Sequence, residues 1–163
     1  MSALARTSET VSRLATKRGF YLGARSTKVH VAIYRLTSGR LGGHVPGLPQ
    51  ARIALIDHTG AKSGKRRTSP LMYCVKGEGI AVVASKGGQP THPAWYHNLK
   101  ANPETTVQLR GERRPVRARV ADGEERAELW DRCVALFAGY ETYRETAAPR
   151  EIPIVVLEPL KAG

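Results

Sequence analysis

The residues with the most chemical potential lie in two loops. The stretch Thr59–Pro70, TGAKSGKRRTSP, sets Lys62, Lys65, Arg66 and Arg67 among Gly60, Gly64, Thr59, Ser63 and Thr68. Consecutive backbone N–H groups beside cationic side chains form a site for anions. The run GAKSGK holds two glycines and a lysine, but its spacing is not that of a GxxxxGK[ST] phosphate loop. A solvated basic turn would carry the same residues. The second loop is Ser85-Lys86-Gly87-Gly88, which follows the apolar run GIAVVA. Its glycines permit positive φ and let backbone approach a ligand closely, and Lys86 can meet a phosphate or carboxylate. Trp95 and Tyr96 follow shortly and could wall a planar group, although core packing also accounts for a lone tryptophan. Tyr140 and Tyr143 are three residues apart and share one face if helical. Phenols can line an apolar cleft and still donate a hydrogen bond. A pair of half-buried rim aromatics is the plainer alternative.

The groups that would make this a self-sufficient enzyme are missing. His30, His44, His58, His92 and His97 are scattered, and none pairs with a Ser, Cys or Asp at a triad spacing. No two carboxylates stand out as an acid–base pair, and no Cys/His spacing suggests a metal. Binding groups are many and catalytic groups few, which points to a cofactor that brings its own chemistry.

The elements that position these loops follow from periodicity. TKVHVAIYRLTSG puts Val29, Ala32, Ile33 and Leu36 at helical spacing, with Ser26 as the expected N-cap and Gly39 as the residue past the end. Gly39–Gln50 is rich in Gly and Pro and reads as loop. RIALID reads as a strand, HTGAKSGKR as a polar turn, and TSPLMYCV with GIAVVAS as a hairpin over KGEG. HPAWYHNLKANP should be a short helix between its prolines. TTVQLR and PVRARVA form a second hairpin over GERR. Asp122 and Glu125 form a capping-box signal for a helix carrying Leu129, Trp130, Cys133 and Phe137, ended or bent at Gly139. IPIVVLEP is a closing strand. About six short antiparallel strands with flanking helices predict a mainly β, α+β fold built on a small barrel. No GxGxxG follows the first strand, so a dinucleotide-binding sheet is not indicated.

The chain has 163 residues and a formal net charge of +12. The charge is uneven: +7 over residues 1–50, +6 over 51–100 and −1 over 101–163. Nucleic acid, an anionic membrane surface or a polyanionic small ligand could explain it. Aromatics are 6% and do not interleave with the basic residues, which argues against nucleic acid. Cys74 and Cys133 read as buried small hydrophobes and make no disulfide framework, so a cytoplasmic setting is expected. No apolar run approaches the roughly 18–20 residues of a membrane span.

Four motifs carry a resemblance: LTSGRLGG, DHTGAKSGKRRTSPLMY, VVASKGGQPTHPAWYHNLKANP and REIPIVVLEP. In order and spacing, from about Val29 to Pro159, they resemble the deazaflavin-dependent nitroreductase family, actinobacterial enzymes that use reduced coenzyme F420, many of them quinone reductases. The resemblance implies a split β-barrel of the FMN-binding type over residues 39–163; ahead of it, the charge and helical spacing give a basic helical arm over 1–38. It implies a deazaflavin bearing a phosphodiester and a polyglutamate tail, which suits the charge better than nucleic acid does. Lys62, Ser63 and Arg67 would hold the phosphate and tail. Pro70, Leu71 and Met72 would run beside the ring, Ser85, Lys86, Gly87 and Gly88 would offer N–H groups and a cation, and Trp95 and Asn98 would complete the pocket. Tyr73, Ser85, Tyr140 and Tyr143 would face a quinone or nitro acceptor. The family usually has Arg where this chain has Ala61, so one cationic contact to the tail is missing. Two alternatives remain: an FMN enzyme on the same barrel, and a basic binder of membrane or nucleic acid. The arm could place the protein peripherally at the inner face of the plasma membrane.

Overall fold

A computed structural model describes residues 24–160. Its elements are α1 (Ala24–Leu36), β1 (His44–Val45), β2 (Leu48–Thr59), β3 (Arg66–Lys76), β4 (Gly79–Val83), α2 (Ala94–Ala101), β5 (Glu104–Leu109), β6 (Glu112–Val120), α3 (Gly123–Leu136), α4 (Gly139–Ala147) and β7 (Ile154–Pro159). A short 3₁₀ turn covers Lys86–Gly88.

The strands run in the order β1-β2-β3-β4-β7-β6-β5, and β2 also pairs with β5. That pairing closes six antiparallel strands into a barrel, so only the two-residue β1 lies outside the ring. The apolar runs reflect burial on two faces. Ile80, Val82, Val155 and Leu157 point into the barrel with Val107 and Val116. Their neighbours Ala81, Val83, Ile154 and Val156 point outward, under Leu129, Trp130 and Cys133 of α3 and Tyr140 and Tyr143 of α4. β6 has one helix-free face and alternates instead, with Val116 and Ala118 buried and Arg117 and Arg119 not. α2 plugs the barrel with Trp95, Tyr96 and Leu99.

Several expectations are refined. β2 begins at Leu48, so the Gly/Pro-rich stretch contains β1 and its turn. Ser26 lies inside α1 and does not cap it. The residue past the end of α1 in left-handed conformation is Ser38 (φ 51°); its N–H donates to Arg35 O, and the Gly39 N–H reaches back to Tyr34 O at 2.8 Å. Gly39 therefore stands one place further on than expected, in the pattern of a Schellman motif. Asp122 precedes α3 but its side chain makes no capping hydrogen bond. Glu125 is taken by Arg119 and Lys76 instead.

The largest difference concerns α1. Its apolar stripe faces outward: Val29 is 59% exposed, Ile33 41% and Leu36 86%. The face that docks is made by His30 and Tyr34. Tyr34 is buried; its hydroxyl donates to Ile53 O (3.0 Å) and accepts from the Arg110 N–H (2.8 Å). His30 Nε2 donates to Gly42 O at 2.7 Å. Arg35 adds a bond to Asp57 Oδ1 at 3.1 Å. Polar anchors at the helix face outweigh the hydrophobic period, so the spacing identifies the helix but not the side that packs.

Candidate active site

Six consecutive residues of β3, Thr68 to Tyr73, are half-buried, where a strand covered on one face would alternate. The stretch lies between two built features, the loop that precedes it and the turn that follows β4. Continuing the β3–β4 register past Tyr73↔Val82 sets Ser85 level with Pro70, so both features stand at one end of the same strand pair.

The β2–β3 loop is tied down by backbone. Gly60 N–H donates to Lys65 O (2.9 Å) and Gly64 N–H to Gly60 O (2.8 Å), with Gly64 at φ 62°. Asn98 of α2 pins it by accepting the Ala61 N–H through Oδ1 at 2.9 Å. The Asn98 amide NH2 must then face His58 Nδ1, also at 2.9 Å, leaving His58 Nε2–H to donate to Ser69 Oγ at 3.0 Å. Burial, helped by the Arg67 charge, lowers the His58 pKa to about 4, so this histidine is neutral at pH 7. Because its folded pKa lies below the unfolded value of 6.5, the stability it supports is complete above pH 6.5. That stability is lost as pH falls towards 4. Urea midpoints should therefore drop between pH 7 and pH 4, and more steeply in wild type than in His58→Gln.

Lys62, Lys65, Arg66 and Arg67 are all exposed, and among the described residues none of them is in an ion pair. Unpaired among the described residues, their charges are available to an anionic ligand.

The second feature has unusual backbone. Ser85 is right-handed (φ −69°, ψ −38°), and Lys86, Gly87 and Gly88 all have positive φ, at 51°, 62° and 76°. A right-handed residue followed by left-handed ones turns successive N–H groups to one side, the arrangement called an anion nest. The turn's own hydrogen bonds use the N–H groups of Gly88 and Gln89. Those of Lys86 and Gly87 have no acceptor among the described residues, and neither does the Ser85 hydroxyl. Lys86 is a non-glycine residue in a strained region, and its ammonium group is held by Thr91 Oγ1 at 2.6 Å.

The two glycines do different work. A Cβ on Gly88 would lie 2.0 Å from Thr146 Oγ1 and 3.1 Å from Tyr143 Cα, so Gly88 lets the turn press against α4. A Cβ on Gly87 would meet nothing within 4 Å. Gly87 is the open position, where a ligand can approach the backbone.

Arg150 clamps the turn from behind; it opens the REIPIVVLEP motif, but the sequence assigns it no role at the site. Its guanidinium donates to Ser85 O (Nη2, 2.8 Å), Ala84 O (Nη1, 3.2 Å) and Gln89 O (Nη2, 2.8 Å; Nε, 3.0 Å), and Nη1 also meets His92 Nδ1 at 3.2 Å. No carboxylate joins this set among the described residues, so the clamp adds positive charge beneath the nest.

The far wall is aromatic. Tyr140 packs edge-on to Phe137 (5.3 Å between centroids), and Tyr143 lies 5.8 Å from Phe137 and 6.3 Å from Tyr140. Burial raises both phenol pKa values, so both stay protonated and able to donate. Neither hydroxyl has a hydrogen-bond partner among the described residues. Trp130 Nε1 donates to Glu141 Oε1 at 2.7 Å and sets α4 against α3. Met72 packs into this cluster.

The structure thus brings together Met72, Ser85, Lys86, Gly87, Gly88, Tyr140 and Tyr143, and sets Lys62, Ser63, Arg67 and Pro70 at the same end. Three residues fall elsewhere. Tyr73 is one position from Met72 on a strand, so it points the other way, towards the barrel interior. It also lines an open cleft of about 490 Å³ beside the β3–β4 turn, with Leu109 and Arg114. Leu71 also packs inward, and Trp95 is buried inside the barrel. Asn98 is close to the loop, but its amide is fully engaged by His58 and Ala61, which makes it a support for the loop.

An uncapped nest, a cluster of unpaired cations and a half-open strand between them fit a planar anionic group with a charged tail. Fold and site together define a binder of an anionic small molecule on a split β-barrel. A solved F420-H2 dependent reductase (FDR-A) is 44% identical, with a TM-score of 0.60 over 65% of this chain and 93% of that chain. A second structure, a domain-swapped dimer, is 38% identical with a TM-score of 0.64 over 82% of this chain and 96% of that one. The F420H(2)-dependent quinone reductase Rv1261c of Mycobacterium tuberculosis is 39% identical over 139 residues, 84% of this chain and 92% of the relative. The family model for F420H(2)-dependent quinone reductases matches residues 26–159, and the chain belongs to that family. It is an oxidoreductase whose cofactor is coenzyme F420.

Proposed function

We propose that reduced F420 lies along the half-open stretch of β3, with its ring beside Pro70 and Met72. The Ser85–Gly88 nest then meets its anionic edge, and Lys62 and Arg67 meet its phosphodiester and tail. The observation that carries this reading is the pair of N–H groups at Lys86 and Gly87 with no acceptor among the described residues, at the same end of the β3–β4 pair as the unpaired cations of the neighbouring loop. When bound, the reduced deazaflavin supplies the hydride that a quinone or nitro acceptor takes up. The chain's own residues bind, orient and exclude water. Tyr140 and Tyr143 wall the acceptor side. A buried phenol that stays protonated, or the free Ser85 hydroxyl, donates to the acceptor oxygen where negative charge grows, and such a donor accelerates the step. Lys65 and Arg66 flank the loop whose usual arginine is replaced by Ala61, and they supply the missing charge.

Arg67→Ala and Lys62→Ala should each weaken F420 binding by roughly fivefold, the effect of about 1 kcal/mol from one exposed cation. A fluorescence titration reads this directly, and unchanged affinity in both variants would refute the site. If the protein instead purifies with a flavin spectrum, the FMN reading gains.

One observation favours a membrane-facing role. Val29, Ile33, Leu36 and Leu41 are all exposed large apolar residues, in a stretch that also carries Lys28 and Arg40. An apolar stripe flanked by cations suits an anionic lipid surface. This would set the enzyme at the inner face of the plasma membrane, where lipid-soluble quinones reside. Ile33→Glu with Leu36→Glu should reduce co-sedimentation with vesicles containing anionic phospholipid and leave turnover of a water-soluble quinone intact. Equal vesicle binding by both proteins would remove this placement.

A further inference from the structure

Cys74 and Cys133 are the only cysteines in the chain. They stand 59 residues apart in sequence, on β3 and α3, yet their sulfur atoms are 2.9 Å apart. Both are buried, at 4% and 3% exposure, in the seam between the outer face of the barrel and α3. Among the described residues no group of three or more His, Cys, Asp or Glu could hold a metal, so the chemistry open to the pair is redox chemistry. The pair belongs to neither the cofactor turn nor the cationic loop. It lies behind the tyrosine wall, in the same packed cluster as Tyr140, Tyr143 and Met72.

We propose that Cys74 and Cys133 form a reversible dithiol–disulfide site that closes within one chain on reaction with a small hydroperoxide. A disulfide has an S–S length of about 2.05 Å, so the two sulfurs need approach by less than about 1 Å. The two thiols share one hydrogen bond, in which either sulfur can donate, so ionisation of one is supported by the other. Either can act as the first nucleophile, with its neighbour as the resolving thiol. The thiolate of one attacks one peroxide oxygen, the O–O bond breaks, and the departing alkoxide or hydroxide takes the proton that this thiol gave up. The second thiol then attacks the sulfenic acid, an S–S bond forms, and water leaves. Two thiols and one hydroperoxide give one disulfide, one alcohol (water, from hydrogen peroxide) and one water. Burial restricts the reaction to small oxidants and disfavours mixed disulfides with bulky thiols. The product would tie β3, the floor of the cofactor groove, to α3, the helix against which α4 is set.

The test uses the reduced full-length protein. After treatment with hydrogen peroxide and quenching, non-reducing intact mass should show a monomer lighter by two hydrogens. Thiol titration should fall from two to zero and recover with dithiothreitol. Because the chain has only two cysteines, this pattern assigns the bond without mutagenesis. The disulfide should also raise the thermal midpoint by restricting the unfolded chain. Cys133→Ser and Cys74→Ser should each lose the intramolecular disulfide and stop at a sulfenic acid on the remaining cysteine, which dimedone labels. Two thiols still free after oxidation, over-oxidation to sulfinic acid, or a disulfide between chains would overturn the proposal.

Discussion

Gly88→Ala is expected to cost about 2–5 kcal/mol of stability and to slow F420-dependent turnover by roughly 100-fold. Two effects act together. The residue sits at φ 76°, where a side chain costs about 1–2 kcal/mol. The new Cβ would also fall 2.0 Å from Thr146 Oγ1 and 3.1 Å from Tyr143 Cα. Thr146 is β-branched and its hydroxyl donates to Thr142 O at 3.0 Å, so it cannot rotate away freely, and a helix backbone cannot yield locally. Overpacking of this kind typically adds about 1–3 kcal/mol. Turn and α4 must therefore separate, which misaligns the nest and shifts the tyrosine wall in one event, and misplacement of about 1 Å can cost two orders of magnitude. Gly87→Ala makes the contrast. It carries a similar φ penalty but meets no protein atom within 4 Å, so stability should fall by only about 1–2 kcal/mol while affinity falls much further. Urea melts and fluorescence titrations of both variants separate the two roles. Wild-type affinity in Gly87→Ala would show that no ligand approaches there.

Arg150→Ala should be comparably damaging to stability, and for a different reason. The guanidinium serves the carbonyls of Ala84, Ser85 and Gln89 and the ring of His92. Hydrogen bonds from a charged donor contribute about 1.5–3 kcal/mol each when partners are left without replacement. Solvent can reach part of the turn, so the whole loss should be about 3–4 kcal/mol. The loss should appear locally, as faster amide exchange across residues 84–89 of the protein alone. F420 affinity should fall at least tenfold. Arg150→Lys tests the mechanism. Lysine keeps the charge but lacks the planar fork that reaches several carbonyls at once, so it should restore little of either property. Full rescue by lysine would show that charge, and not the clamp, is what matters.

The barrel was legible because strand pairs buried on both faces leave continuous apolar runs, and because hairpin turns such as KGEG and GERR are local signals. The two loops were legible because glycines and cations cluster within a few residues of one another. What the chain does at longer range was not. Arg150 is some 65 residues from the turn it holds, and in sequence it is one more basic residue near a proline. His58, Asn98 and Ala61 form a unit only because α2 folds back over the β2–β3 loop. The stripe Val29–Leu36 looked like a packing face, but Tyr34 and His30 dock the helix through polar bonds that periodicity does not report. Tyr73 illustrates parity: Met72, Tyr73 and Cys74 are adjacent letters, yet a strand sends the middle one to the opposite face. The resemblance to deazaflavin enzymes grouped Tyr73 with Tyr140 and Tyr143, and the fold sets them apart.

The central claim is that this chain uses the nest and the cationic loop to present reduced F420 to a quinone. The most direct test is anaerobic rapid mixing of the protein and reduced F420 with a soluble naphthoquinone, following the return of oxidised deazaflavin absorbance. Turnover should depend on the protein and saturate in both partners, with Arg150→Ala and Gly87→Ala requiring more F420 to reach half-maximal rate. Cofactor oxidation no faster than in the protein-free control, across quinone and nitro acceptors, would contradict it.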